Sequence, residues 1–185
     1  MRRRYVLVPL LSLIVVINLL EEDKQQKEDP FTVPVDSDEL PDYYMEQMVL
    51  KHYDENGILQ AEISSPILSH YANQRQALMV EPVITLFGVN NQIWQLTSLE
   101  GRIFDQTQDI ALKDNVNIKL GRSGEEQLQL VTQQLFYEFN AHRASSQTEV
   151  AFENSLAVGS ASGLLIDLNT ELFELHKNVE IRFND

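Results

Sequence analysis

The residues best suited to chemistry are four histidines, at positions 52, 70, 142 and 176, and the glycine-flanked serines of Gly159-Ser160-Ala161-Ser162-Gly163. Imidazole binds metal or moves protons only when a second group stands at a suitable spacing. No two of these histidines lie at metal-ligand spacing, and no H-E-x-x-H occurs. Each therefore reads as a strand or loop residue. A serine nucleophile of the elbow type needs G-x-S-x-G at a strand-to-helix turn. That order is absent, and residues 159–163 lie inside an alternating β pattern, so a flexible turn is the reading. Asp54-x-Asn56-Gly57 opens like a calcium loop, but Leu59 replaces the next oxygen ligand and Glu62 falls early. A hairpin turn accounts for it. Carboxylates are many and scattered, which singles out no acid–base pair. No catalytic residue, no metal and no cofactor is expected, and the chain does not read as an enzyme.

The elements around these residues are strands. From Tyr43 onward the apolar residues recur every second position, as in Ile110-Ala-Leu112, Leu128-Gln-Leu130 and Val179-Glu-Ile181-Arg-Phe183. Turn residues punctuate them at Asn56-Gly57, Gly88, Gly121 to Gly124 and Asn140. The pattern also repeats. Ile110-x-Leu112-x-x-Asn115-Val116-x-Ile118-x-Leu120 matches Phe173-x-Leu175-x-x-Asn178-Val179-x-Ile181-x-Phe183, and a third copy runs Ala77-x-Met79-x-x-Pro82-Val83-x-Thr85-x-Phe87. A weaker fourth centres on Val150. A small residue stands 18 positions before each valine: Ser65, Ser98, Thr132 and Ala161. Alternation alone explains shared parity but not a constant offset. The units must stack, because a two-stranded unit cannot bury its own face. Charges at Glu81, Asp114 and Lys177 interrupt the inward parity, so a bulge or bend is expected at each.

Composition narrows the setting. The chain has 185 residues, no cysteine and 43% apolar content, which suits one domain with appendages. Without cysteine there is no disulfide, thiolate site or cysteine lipidation. The formal net charge is −14, and without Arg2, Arg3 and Arg4 the remainder holds 11 basic against 28 acidic residues. Such a surface repels nucleic acid. Residues 5–20 (YVLVPLLSLIVVINLL) carry no charge and would span roughly 24 Å as a helix. No small-residue cleavage site follows, so a retained transmembrane anchor is expected rather than a signal peptide. The arginines place residues 1–4 in the cytoplasm and the rest outside. Residues 21–42, acidic and interrupted by Pro30, Pro34 and Pro41, read as a linker. Residues 43–185 form the β-domain.

The anchor, Tyr53-Asp-Glu-Asn-Gly57, Glu81-Pro82-Val83-Ile84-Thr85-Leu86, Trp94-Gln-Leu-Thr-Ser98, the Asn-Val repeats and Gly163-Leu164, in that order, resemble the LptC family of lipopolysaccharide export proteins. The repeat is also similar to that of LptA, the related periplasmic bridge protein. The resemblance covers essentially the whole chain. It implies a single-pass inner-membrane protein with a periplasmic domain, folded as an open, twisted β-jellyroll. Lipopolysaccharide would come from the inner-membrane ABC transporter, rest its acyl chains in the interior and pass to LptA. Two other readings stand beside it: an anchored β scaffold for protein partners only, and, more weakly, a carbohydrate hydrolase on a jellyroll.

For contact with acyl chains, the inward parity selects Met48, Leu50, Met79, Val83, Trp94, Leu96, Phe104, Leu112, Leu130, Phe139, Leu164 and Phe173. Only nine basic residues lie from Tyr43 on, so the phosphate-bearing head group is expected to stay in solvent. The first strand, near Tyr44 to Tyr53, and the last, through Val179, Ile181 and Phe183, are expected to be open sheet edges that accept a partner's strand. The first would face the transporter and the last the bridge protein.

Overall fold

A computed structural model describes residues 30–31, 40–88, 92–122, 125–170 and 172–184. The chain falls into two compact units, Met1–Val33 and Pro34–Asp185. In the first, only Pro30 and Phe31 are described, in a turn. The anchor expected at 5–20 and most of the linker lie outside the described residues. Among the described residues no helix is long and apolar enough to cross a membrane.

The second unit is one antiparallel sheet of fourteen described strands. In chain order they are β1 (Tyr43–Tyr53), β2 (Leu59–Tyr71), β3 (Gln76–Val80), β4 (Val83–Phe87), β5 (Gln92–Thr97), β6 (Glu100–Phe104) and β7 (Ile110–Arg122). There follow β8 (Glu125–Glu138), β9 (Arg143–Ser146), β10 (Val150–Glu153), β11 (Ala157–Ala161), β12 (Leu164–Asp167), β13 (Leu172–Leu175) and β14 (Glu180–Phe183). The β1–β2 hairpin turns where Asp54-Glu55-Asn56-Gly57 predicts it. Asp54 Oδ1 accepts from the backbone N–H groups of Asn56 and Ile58 at 2.9 and 2.8 Å, and Gly57 supplies the positive φ of 79°.

Four long strands, β1, β2, β7 and β8, run through two layers, and the short strands pair with one half of them each. One layer contains β4, β5, β10, β11 and β14, against the first part of β2 and the β7–β8 ends at Val116–Arg122 and Glu125–Thr132. The other contains β3, β6, β9, β12 and β13, against the remaining halves. The crossings are marked by left-handed residues at Gln47, Glu81, Asp114, Asn115, Lys177 and Asn178. The charged positions that interrupt the repeat are thus the bends.

The small residues of the repeat sit buried at these crossings. Bending a strand releases carbonyls from the ladder, and buried carbonyls need donors. Ser65 Oγ lies 2.7 Å from the carbonyl oxygens of both Ile67 and Val80. Ser98 Oγ donates to Glu100 O at 2.7 Å, and Thr132 Oγ1 to Glu149 O at 2.9 Å. Ala161 is the copy without a hydroxyl. Around the crossings the core is closed: Leu112, Val116, Ile118, Leu130, Leu135 and Val150 have no exposed surface.

At the start of β1 the sheet is clasped by His70. Its Nδ1 lies 3.0 Å from both carboxylate oxygens of Asp42, its Nε2 lies 3.1–3.2 Å from those of Asp105, and the Tyr43 ring stacks on it at 4.6 Å. Carboxylates only accept, so both ring nitrogens must donate, which is the imidazolium form. Partial burial lowers the His70 pKa, but the two carboxylates outweigh it and hold it above the ordinary 6.5.

Candidate functional site

Away from the crossings the layers part, and the interior becomes a groove at the mouth. Its larger cavity, about 510 Å³, lies between Leu59, Ala61, Leu86 and Ile93 of one layer and Tyr137, Phe139 and Leu168 of the other. A smaller one, about 190 Å³, lies toward the β1 edge, between Leu50, Ile63 and Ile103. The larger volume falls within the roughly 300–1,000 Å³ that hold small ligands. Polar groups form a rim: Gln60, Gln92, His142 and Asn169 on one side, Lys51, His52 and Gln108 on the other. No carboxylate lines either cavity among the described residues, and Lys51 Nζ is paired with Glu62 at 3.1 Å. Tyr137 forms part of the floor. Burial pushes its pKa up to about 12, and its hydroxyl lies 3.4 Å from His142 Nδ1. The groove can hold an apolar guest with a polar end at the rim. Among the described residues there is no cluster of His, Asp and Glu that could hold a metal.

Directly opposite residues of antiparallel strands share a face, so the register assigns each residue selected from the sequence. Trp94 opposite Leu86, Leu96 opposite Ile84, and Leu130 opposite Ile118 face inward and are buried. Met79 opposite Gly101, Leu112 opposite Leu135, and Leu164 opposite Leu175 do the same in the other layer. Phe173, opposite Ile166, is half-buried on that face, and Met48 is buried beside the β1–β2 crossing. Phe139 stands at the mouth. Leu50, opposite Ile63, shares the inner face yet is 50% exposed, because the layers have already separated there.

Val83 and Phe104 lie on the outer face instead. Val83 pairs with Ser64 and Thr97, while Ile84 beside it is fully buried. The cause is Pro82. Between Leu112 and Val116 the bend uses two left-handed residues, Asp114 and Asn115; between Met79 and Pro82 it uses only Glu81. Proline cannot take a positive φ. The bend is one residue shorter, and every later residue changes face. For Phe104 the register runs through Gly101, which pairs with Met79 and Leu112 on the inner face. Ile103 follows it inward, and Phe104 turns out to meet Phe136 at 6.4 Å. Gly101 has no side chain to mark its face, yet a Cβ there would lie 2.8 Å from Met79 Cε. Ala61, Leu86, Ile103, Tyr137 and the two rim histidines, His52 and His142, were not among the selected residues. The alternation of Ala61 with Ile63 was the signal for the first.

Among the described residues β1 pairs only with β2, β13 only with β12, and β14 only with β11. Val179, Ile181 and Phe183 are 44%, 48% and 78% exposed. Gly159 lets β14 close on β11, since a Cβ there would fall on Glu180 O and the Phe152 ring. On the outer face of β8, β10, β11 and β14 a further cavity of about 390 Å³ is bordered by Glu153, Glu180 and Arg182.

An antiparallel sheet folded over on itself, open along an apolar mouth, defines a β-jellyroll of open form. The family of lipopolysaccharide-assembly, LptC-related proteins matches residues 5–184, and the chain belongs to that family. Its role therefore lies in lipopolysaccharide transport, which is not an enzyme family's work. Among solved structures it is similar to LptH of Pseudomonas aeruginosa, the LptA-homologous periplasmic component of the lipopolysaccharide transport device. The TM-score is 0.52 at 8% identity, over 75% of this chain and 96% of that one. At that identity the likeness is one of fold. No curated protein matches the sequence.

Proposed function

We propose that this chain is the inner-membrane-anchored carrier of lipopolysaccharide export. Residues 5–20 hold it in the membrane by a single pass, and the β-domain lies in the periplasm. The domain receives lipopolysaccharide from the ABC transporter and passes it to LptA. The observation that carries the reading is the groove: apolar walls, no lining carboxylate among the described residues, and a polar rim at the solvent side. Acyl chains gain about 0.8 kcal/mol per buried methylene, so a few suffice to hold without trapping. The acidic exterior leaves the phosphates in solvent. Partners add to the unpaired edges, the transporter at β1 and LptA at the β13–β14 end, through Val179, Ile181 and Phe183.

The test is photo-crosslinking in the host membrane. A crosslinking residue at Leu50, Leu86 or Phe139 should label lipopolysaccharide, and so should one at Trp94, Met79 or Phe173 if the core yields to the guest. Outward positions Gln95 and Glu174 should not. Equal labelling inside and outside would sink the lipid reading. Deleting residues 178–185 should abolish LptA docking and leave association with the transporter. The closed core around the crossings favours a second reading, a scaffold for proteins alone, and under it no inner position is labelled.

A further inference from the structure

The two cavities at the mouth share a wall. Ala61 and Phe139 line both, and the wall between them is the Phe139 ring. That ring is 9% exposed and is held from its surroundings at the rim. The His52 ring meets it edge-on at 4.8 Å and 89°, reaching from β1 across to the turn after β8. Tyr137 meets it at 6.0 Å and 83°, from inside. The Phe139 backbone N–H donates to Asp109 Oδ1 at 2.9 Å, which fixes the turn. Ala61 stands opposite His52 on one side and Leu86 on the other, so the smallest side chain of that row leaves the space the ring occupies.

Resting on the acyl-chain reading above, we propose that Phe139 is a specificity-determining partition that ends the larger chamber and sets the length of alkyl chain it accepts. A chain longer than this chamber meets the ring and must leave its further methylenes in water. With the ring gone, the chambers join into one channel running toward the β1 edge, and those methylenes are buried. His52 is a positioning residue, since it touches the ring and holds it across the mouth. A lipid with several chains would then seat them on separate sides of the ring.

The experiment uses the full chain kept in solution by an amphipathic polymer, with a fluorescent anthroyloxy fatty acid displaced by saturated fatty acids of increasing length. The wild type should gain affinity with length and then stop gaining. Phe139→Ala should move that limit to longer chains, each further methylene adding about fourfold in affinity. His52→Ala should move it in the same direction by less. Because His52 is exposed, its loss leaves the core intact and covers the case in which Phe139→Ala fails to fold. Phe139→Leu, which keeps bulk in the wall, should leave the limit near the wild-type length. A limit unmoved in both Phe139→Ala and His52→Ala, or in His52→Ala when the other does not fold, overturns the partition while the groove reading stands. A wild type that binds no fatty acid overturns both.

Discussion

Asp42 and His70 meet head-on, both carboxylate oxygens of Asp42 lying 3.0 Å from the same ring nitrogen. Asp42 also accepts the Ala72 N–H at 2.9 Å, so one side chain ties the entry of β1 to the far end of β2. Burial works against the charged carboxylate, but His70 and the Ala72 N–H bring the Asp42 pKa below the ordinary 3.8. The His70 pKa is raised above 6.5. The stability His70 contributes is therefore complete below pH 6.5 and is lost as pH rises through its folded pKa. The Asp42 contribution is present above pH 3.8 and is lost as pH falls through its lowered pKa. Amides near Tyr43 to Glu46 should exchange faster once pH has risen past the raised pKa of His70, after correction for intrinsic rates. His70→Gln should remove that dependence. A ring titration of His70 by NMR at or below 6.5 would contradict the clasp.

The bend in β7 makes a second prediction. Asp114 and Asn115 have φ of 62° and 53°, where proline cannot go. Asn115→Pro should destabilise by about 3 kcal/mol or more. Asn115→Gly should stay within about 1 kcal/mol of the wild type, since glycine takes positive φ without penalty. Urea midpoints distinguish the two, and equal costs would mean that backbone conformation is not the cause.

At the crossing beside β10, Thr132 Oγ1 meets Ser146 Oγ at 3.0 Å, Thr148 Oγ1 at 2.8 Å and Glu149 O at 2.9 Å, all with Thr132 only 2% exposed. Thr132→Val keeps the shape and strands those partners. Its expected cost is about 1–3 kcal/mol, and Thr132→Ser should recover most of it. Thermal unfolding of both variants checks this, and a loss as large with serine would place the effect in packing.

Gly159→Ala is expected to loosen β14 before anything else. The added methyl falls on the Glu180 carbonyl and the Phe152 ring, and overpacking of this kind costs about 1–3 kcal/mol. Hydrogen exchange should quicken in Glu180–Phe183 and stay slow in β7. LptA docking should weaken while displacement of a groove-bound fatty acid is unchanged. Uniform acceleration along the sheet would show global destabilisation instead.

The sequence carried the all-β alternation, the hairpin at Asp54–Gly57 and the repeat, because each is a local pattern. It also placed the bends, since Glu81, Asp114 and Lys177 put charge where an inward residue belonged. The face of Val83 was written there too, in the proline that replaces asparagine before it, but the change is of one residue in bend length and not in hydropathy. Phe104 was harder. Gly101 is silent about its own face, and Ile103 and Phe104 are both apolar, so only cross-strand register decides between them. The mouth was the least legible part. His52, Phe139 and Ala61 are 87 residues apart at their extremes (positions 52 and 139) and meet only when β1 and the β8 turn are brought face to face.

The pairing order of the sheet also bears on how the domain is made. Among the described residues no strand pairs with one more than three places away along the chain: β3 with β6, β9 with β12 and β11 with β14 are the widest. Loops closed in forming each pair stay short, so little entropy is lost at any one step. Each new segment finds its neighbour already laid down. The amino-terminal strands can pair among themselves while later ones are still being synthesised, and no long apolar edge waits on the far end of the chain. That order permits assembly like knitting, row upon row, in which an interrupted chain would present a smaller version of the same sheet rather than an unformed one.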